Sequence, residues 1–321
     1  MIGLVADIGG THARFALCEG TRGKRPCLSG IAVLACADYP SLADALSAYL
    51  APLPAALRPR QAALAIAGPV SGDRIVVTNH PWSFSLADTR TALGLETLSA
   101  LNDCTAVSRA LPFLAPADVA PLGDFDADPR RVDAQRMGIV APGTGLGIGG
   151  LLRNGTAVWP LPSEGGHAGF SPGDQTEMEI ARILSGRFGH VSNERLLSGP
   201  GLRNIYEALC VLRGHQKQAL SAEEIAARAM AESDVICREA LDRFCAILGS
   251  VAGDLALLLF ADIIFVGGGI APQMIGFLRA SAFRARFEEK GRLAPRMAAI
   301  PTLAITYPYT GLLGAALHLL E

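Results

Sequence analysis

The sequence predicts an α/β protein of two lobes, and three observations point there. The first is a duplication: Gly3-Leu-Val-Ala-Asp-Ile-Gly-Gly-Thr-His-Ala-Arg-Phe-Ala-Leu17 and Gly138-Ile-Val-Ala-Pro-Gly-Thr-Gly-Leu-Gly-Ile-Gly-Gly-Leu151 repeat one design. Each is an apolar strand, a glycine turn carrying a threonine, and a second run able to pair back as a hairpin. The second is length, since 321 residues exceed what one core usually serves and suit two lobes of roughly 100 to 200 residues. The third is the alternation of strand-like and helix-like segments after the first hairpin. Glycines in such turns bring backbone N–H groups close to an anion, and successive amides form a concave anion site. Two ordinary hairpins would leave the same pattern, but the recurrence with threonine suggests half-structures clamping one polyphosphate in a nucleotide cleft.

Taken in order, a third strand is expected over Ile31 to Cys36 and a helix from Ser41 through Tyr49. A Pro-rich connection, Pro52 to Pro59, leads to a strand at Ala62 to Ala67. A loop follows at Thr78-Asn79-His80-Pro81-Trp82, then a short helix near Leu86 to Leu93. The next strand, Leu98 to Leu101, ends at Asn102-Asp103. The second lobe is expected after about residue 109, giving a small domain of 1–108 plus 309–321 and a large one of 109–308. Pro121 to Gln135 reads as an exposed excursion, rich in aspartate with two prolines. Ser163 to Gly169 is a polar loop, and Glu177, Ile180 and Leu184 mark a helix. Ser221-Ala-Glu-Glu224 has capping-box spacing and starts another. Cys237, Leu241, Phe244, Leu248, Val251, Leu255 and Leu258 recur at helical spacing. A coiled coil has the same seam, but apolar flanks at Ala240, Ile247, Ala252 and Leu257 favour a core helix. Asp262 to Val266 reads as a buried strand ending in Gly267-Gly268-Gly269, and Gly311 to Leu320 as an apolar helix with close-packing glycines.

Composition removes several classes. Net charge is −2 and no basic stripe occurs, so nucleic acid is not an expected partner. Arg130, Arg131 and Arg136 read as a solvated turn. Half the residues are hydrophobic and mean hydropathy is +0.32, yet the richest apolar stretch, Val251 to Gly269, is broken by Asp254, Asp262 and glycines. No membrane span is expected. Met1-Ile2-Gly3-Leu4 has neither a basic region nor a cleavage site, and a cytoplasmic protein is expected. The seven cysteines, Cys18, Cys27, Cys36, Cys104, Cys210, Cys237 and Cys245, form no C-x-x-C pair and read as reduced small hydrophobes.

Six segments together carry a family resemblance: Asp7-Ile-Gly-Gly-Thr-His-Ala-Arg14, Leu101-Asn-Asp-Cys-Thr-Ala106, Pro142-Gly-Thr-Gly-Leu-Gly147, Glu164-Gly-Gly-His167, Glu194-Arg-Leu-Leu-Ser-Gly-Pro-Gly201 and Val266-Gly-Gly-Gly-Ile270. In this order they resemble the bacterial glucokinases. The resemblance covers essentially the whole chain and implies the actin-like, ribonuclease H-like ATPase fold, with a nucleotide and sugar cleft between the lobes. Repressor-type sugar kinases share a Glu-x-Gly-His motif but follow it with a cysteine-rich zinc site. None follows His167, which points to the zinc-free branch.

Phosphoryl transfer to an alcohol needs a base near the attacking hydroxyl and donors and Mg²⁺ on the phosphates. Asp103 ends an apolar run and is the candidate base; an Asn-Asp turn is the plain alternative, and the resemblance implies the catalytic carboxylate here. Asp7 cannot bind phosphate itself, so its expected task is Mg²⁺, through water. The ATP site is expected to include Ala6, Asp7, Ile8, Gly9, Gly10 and Thr11, with Gly143, Thr144 and Gly145 supplying donors from the other lobe. Pro142, without an N–H, only shapes its turn. The resemblance assigns glucose to Asn102, Asp103, Glu164, His167 and Glu194, groups able to pair with adjacent sugar hydroxyls. It assigns adenosine to Gly267, Gly268 and Gly269, which would equally suit a bulge or a helix start. His12, His80, His190, His215 and His318 read as structural. Residues 79–82 either wall the sugar site or form a packed aromatic loop. The expected activity is ATP-dependent phosphorylation of D-glucose to glucose 6-phosphate, with ATP and Mg as cofactors and a homodimer as assembly. The rivals are a kinase for fructose, mannose or an N-acetylated sugar, a non-catalytic sugar sensor, and a chaperone-like or filament ATPase.

Overall fold

The structure, a computed structural model, describes residues 2–54, 57–78, 80–125, 128 and 134–321. Arg130, Arg131 and Asn79 lie outside the described residues. In chain order the elements are β1 (Gly3–Ile8), β2 (His12–Glu19), β3 (Cys27–Ala35), α1 (Leu42–Leu50), β4 (Gln61–Ile66), β5 (Arg74–Val76), β6 (Ser83–Ser85), α2 (Leu86–Ala92), β7 (Thr97–Asn102) and α3 (Asp103–Ala110). Next come β8 (Val119–Pro121), β9 (Arg136–Pro142), β10 (Leu146–Asn154), β11 (Ala157–Leu161), α4 (Gln175–Phe188), α5 (Gly199–Arg213), α6 (Ala222–Met230) and α7 (Val235–Leu259). The chain continues with β12 (Ile263–Val266), α8 (Ile275–Ala280), α9 (Phe283–Glu288), α10 (Ala294–Ala298), β13 (Thr302–Ile305) and α11 (Thr310–Leu319).

Two compact units result: residues 1–113 with 153–161 and 307–321, and residues 114–152 with 162–306. Segment 153–161 thus clusters with the first unit because α3 packs on β11, a long-range contact that sequence spacing does not reveal. The first unit holds a sheet of order β3-β2-β1-β4-β7. There β1 and β2 are antiparallel, whereas β1, β4 and β7 run parallel with Ile8, Ile66 and Asn102 in register. The second unit holds most of a sheet of order β11-β10-β9-β12-β13-β8, again opening with an antiparallel pair, β9 with β10. The duplicated hairpin therefore exists twice, each beside a parallel strand, β4 in one case and β12 in the other.

Local chemistry accounts for the helix starts. Ser41 and Ser85 cap α1 and α2 by accepting from the amides three residues on, and Ser221 with Glu224 forms a complete capping box at α6. In α7, Asp234 accepts from the Ile236 and Cys237 amides, and the side chains of Cys237, Leu241, Phe244, Leu248, Val251 and Leu255 are buried. Full burial of one such Leu or Phe is worth about 1.5–3 kcal/mol, so the seam makes α7 a core helix and not a coiled coil. Leu258 departs from it: it is 84% exposed and faces away from the core, while its neighbours Leu257 and Leu259 pack against the core. Three further differences are local. The third strand starts earlier than expected, at Cys27, and pairs in antiparallel register with β2. The short β5–β6 hairpin was not expected. Arg136 is not in a solvated turn but opens β9, where Asp262 takes its guanidinium at 2.8 Å. No described helix is long and apolar enough to cross a membrane.

Helix α11 sets the position of α3. It is buried along nearly its whole length, and a Cβ at Gly314 would lie 1.8 Å from the Ala106 carbonyl oxygen of α3. Only glycine permits that approach, and the residue at the head of α3 is Asp103.

Candidate active site

In the first unit the parallel register brings the carboxyl ends of β1, β4 and β7 side by side, the edge at which open α/β sheets bind ligands. Asp7 lies one residue from the end of β1, opposite Arg14 on β2, whose Nη1 is 3.4 Å from its carboxylate. Burial raises the Asp7 pKa, and the Arg14 charge opposes that rise. A Cβ at Gly311, the second residue of α11, would lie 2.8 Å from the Asp7 carboxyl carbon. Glycine there keeps one side of the carboxylate open. The turn after β1 is closed by the Gly9 amide donating to the His12 carbonyl at 3.0 Å, while the Cys36 amide holds the Thr11 carbonyl at 2.9 Å. Gly9 is therefore not the free donor expected from the sequence. The amides of Gly10 and Thr11 remain without a protein acceptor among the described residues. Ala6 and Ile8 are fully buried with their side chains in the core, so neither side chain meets a ligand.

Asn102 ends β7 and caps α3, its Oδ1 accepting from the Thr105 amide at 3.1 Å. Its Nδ2 donates to the Gly68 carbonyl at 3.1 Å and to Asp103 Oδ1 at 3.0 Å. Both amide hydrogens are thus spent on fixing Asp103 and the Gly68 turn, which leaves Asn102 one oxygen lone pair for a sugar. Asp103 is the first residue of α3, and its Oδ1 also accepts from the Cys104 amide at 2.8 Å. Burial pushes the Asp103 pKa up to about 6; the Cys104 amide opposes this, and the neighbouring Asp7 charge adds to it.

In the second unit the turn after β9 closes with the Gly143 amide donating to the Gly145 carbonyl at 2.8 Å, and the Gly143 carbonyl accepts from the Gly199 amide at 2.9 Å. As at Gly9, the first glycine is consumed by the turn, and the Thr144 and Gly145 amides stay unpartnered among the described residues. The next amide, Leu146, donates to Glu194 Oε2 at 2.9 Å. Glu194 Oε1 lies 4.0 Å from His167 Nδ1. His167 closes a 3-10 turn, residues 165–167, its own amide reaching the Glu164 carbonyl at 2.9 Å. Glu164 itself is exposed.

The loop after His167 is stitched to 190–193: His190 Nε2 meets the His167 carbonyl, Phe170 donates to Val191, and Asn193 to Ala168, each at 2.9 Å. His190, read as structural, holds the loop that follows His167 in shape. Further along, the fully buried Glu177 accepts from the Gly173 amide at 2.7 Å and from both Arg286 Nη atoms at 2.7 and 3.1 Å. A buried carboxylate with every bond satisfied is a fixed anchor, and no local sequence signal marked this pair, 109 residues apart.

Gly268 combines φ of +76° with a Cβ direction that would end 2.2 Å from the Pro142 carbonyl oxygen. The glycine run is therefore packed against the second turn, with the Gly267 amide donating to Val140 at 2.9 Å and Ile270 to Pro142 at 3.3 Å. Trp82, by contrast, is buried, its indole N–H donating to the Tyr39 carbonyl at 3.1 Å and its ring edge-on to His80. His80-Pro81-Trp82 is a packed aromatic loop. The candidate residues thus form two groups, Asp7 to Thr11 with Asn102 and Asp103 in the first unit, and Gly143 to Gly145, Glu164, His167, Glu194 and Gly267 to Gly269 in the second.

Comparison with known proteins agrees over the full length. The family model described as Glucokinase matches residues 4–321. The chain is 46% identical to the glucokinase of Chromobacterium violaceum over 99% of its length and 89% of that protein. It is also 46% identical to the glucokinase of Aromatoleum aromaticum over 98% of its length and 93% of that protein. Among solved structures, a glucokinase from an Antarctic psychrotroph aligns with a TM-score of 0.87 at 33% identity, covering 99% of this chain and 98% of that one.

Proposed function

The chain belongs to the glucokinase family, and on that premise we propose that it phosphorylates D-glucose at the 6-hydroxyl with ATP, Asp103 acting as the general base. The fold is the two-lobed actin-like ATPase fold of that family. The observation that carries the assignment of the base is the environment of Asp103. It heads α3, the hydrogen bonds from Asn102 and the Cys104 amide both fall on Oδ1, and burial brings its pKa to about 6. A base works best with a pKa near the operating pH, where it is ionised yet still takes a proton. Oδ2 is the oxygen that accepts the hydroxyl proton, while Asn102 and the Cys104 amide stop the carboxylate from rotating away.

The unpartnered amides of Gly10, Thr11, Thr144 and Gly145 support a role as phosphate donors, since an anion supplies the acceptor that the protein withholds. Asp7 is the carboxylate beside the first turn and suits Mg²⁺. It is a hard oxygen donor kept open by Gly311, and no cluster of three or more metal-ligating side chains occurs among the described residues. That fits an ion held mainly by water and phosphate. When bound, Mg²⁺ neutralises charge on the transferring phosphates. Glu164, His167 and Glu194 are assigned to the sugar hydroxyls, and Gly267 to Gly269 to the adenosine. Release of ADP measured against glucose, fructose, mannose and N-acetylated hexoses tests the reading. Glucose should give the highest kcat/KM, and equal ADP release without any sugar would overturn it.

A further inference from the structure

We infer that Glu194 is a positioning residue for the second phosphate turn as well as a sugar ligand, so that one carboxylate serves both substrates. The inference rests on the reading of Gly143 to Gly145 as a phosphate turn. The two oxygens of Glu194 do different things. Oε2 accepts the Leu146 amide at 2.9 Å, while Oε1 faces His167 Nδ1 at 4.0 Å and is left for the sugar. Leu146 is the first residue of β10 and faces Pro142 across the hairpin. Proline has no N–H, so the ordinary ladder is poor in donors here and the turn is held by the Gly143 closing bond and by Glu194. A Cβ at Gly145 would lie 2.6 Å from Oε2, so the carboxylate rests directly against the turn residue whose amide is free.

Glu194 itself is fixed from behind. It lies in the 3-10 turn 193–195, and its carbonyl accepts from Ser198 Oγ at 2.9 Å, the hydroxyl that also caps α5 through the Gly201 amide. Nearby, the Gly143 carbonyl takes the Gly199 amide, so the α5 start and the turn are tied at two points, one of them the Glu194 side chain. A hydrogen bond to a charged acceptor is stronger than a neutral one. Its loss frees the Leu146 amide and loosens the neighbouring donors of Thr144 and Gly145. Glu164 has no such tie among the described residues and serves as the contrast.

Three variants separate the roles, read by calorimetric titration of ADP without sugar and of glucose without nucleotide, each variant first checked for a cooperative melt. Glu194→Ala should weaken ADP about tenfold and weaken glucose. Glu194→Gln keeps an amide oxygen for the Leu146 N–H, so it should restore ADP affinity to within about twofold while glucose stays weak. Glu164→Ala should weaken glucose alone. Unchanged ADP affinity in Glu194→Ala overturns the positioning role even if glucose is lost, whereas unchanged glucose affinity in all three would overturn the sugar assignment instead. Should Glu194→Ala fail to fold, amide exchange in the unaltered protein decides. Leu146 should exchange more slowly than Thr144 and Gly145, and equal rates overturn the inference.

Discussion

Replacing Asp103 by Asn should make the protein more stable and nearly inactive at once. The carboxyl's pKa stands at about 6 against an ordinary 3.8, mainly through burial. Two units correspond to about 3 kcal/mol of penalty carried by the ionised form in the folded state. Between these values the folded protein keeps a proton that the unfolded chain has lost. Stability is therefore highest below the lower value, falls as pH rises through the window, and stays reduced above about pH 6. Asparagine has nearly the same size, can accept the Cys104 amide, and carries no charge. The variant should gain about 1–3 kcal/mol above pH 7, less than the full penalty because its own amide hydrogens need partners. The thermal midpoint should rise by about 2–4 °C for each kcal/mol, with the gain fading toward pH 4. Without a proton acceptor, kcat should drop about 10²- to 10⁴-fold while glucose still binds. The assays are thermal melts of the ligand-free protein at pH 4, 6 and 8, and steady-state kinetics at pH 8. A midpoint at pH 8 equal to or below that of the unaltered protein would refute the burial argument, and a kcat within threefold would refute the base.

Three further outcomes are expected. Glu164→Ala should raise the glucose KM by about tenfold or more with little change in melting, since the side chain is exposed and has no partner to lose among the described residues; an unchanged KM removes it from the sugar site. Gly268→Ala should destabilise the protein by about 1–3 kcal/mol, because the new Cβ meets the Pro142 carbonyl and the backbone sits at φ of +76°, and a melt matching the unaltered protein would contradict this. Light scattering at micromolar concentration should find a homodimer, twice 33.5 kDa, and a species of single mass alone would exclude it.

The periodic and punctuated parts of the chain were legible in the sequence. Both glycine hairpins, the capping box at Ser221 and the seam of α7 fold as their spacing requires, because each depends on neighbours within a few residues. What is not legible is of two kinds, the exact geometry of short turns and contacts between residues far apart in the chain. The glycine turns were recognised, but not that Gly9 and Gly143 would spend their own amides on closing them, which depends on turn geometry that composition does not specify. Helix α3, which places Asp103, is eight residues long and little hydrophobic, and it exists because Asn102 caps it and Gly314 of α11 lets it pack close. Arg136 reads from its polar surroundings as part of a solvated turn, whereas its partner is Asp262, 126 residues away. The link between Glu194 and Leu146 spans 48 residues and likewise joins two motifs that read as independent. The pKa of Asp103 depends on burial contributed by several elements, and no residue next to it in the chain announces that.

The pH dependence of kcat/KM for glucose, with Mg·ATP held well below saturation so that the ligand-free enzyme's ionisation is read, tests the chemistry of Asp103 most directly. The proposed role needs an ionised carboxylate, and the Asp103 pKa in the ligand-free folded protein is about 6. The profile should be level above pH 7 and fall tenfold per pH unit below an inflection near 6. A profile that stays level down to pH 5 would contradict a burial-raised Asp103 as the base.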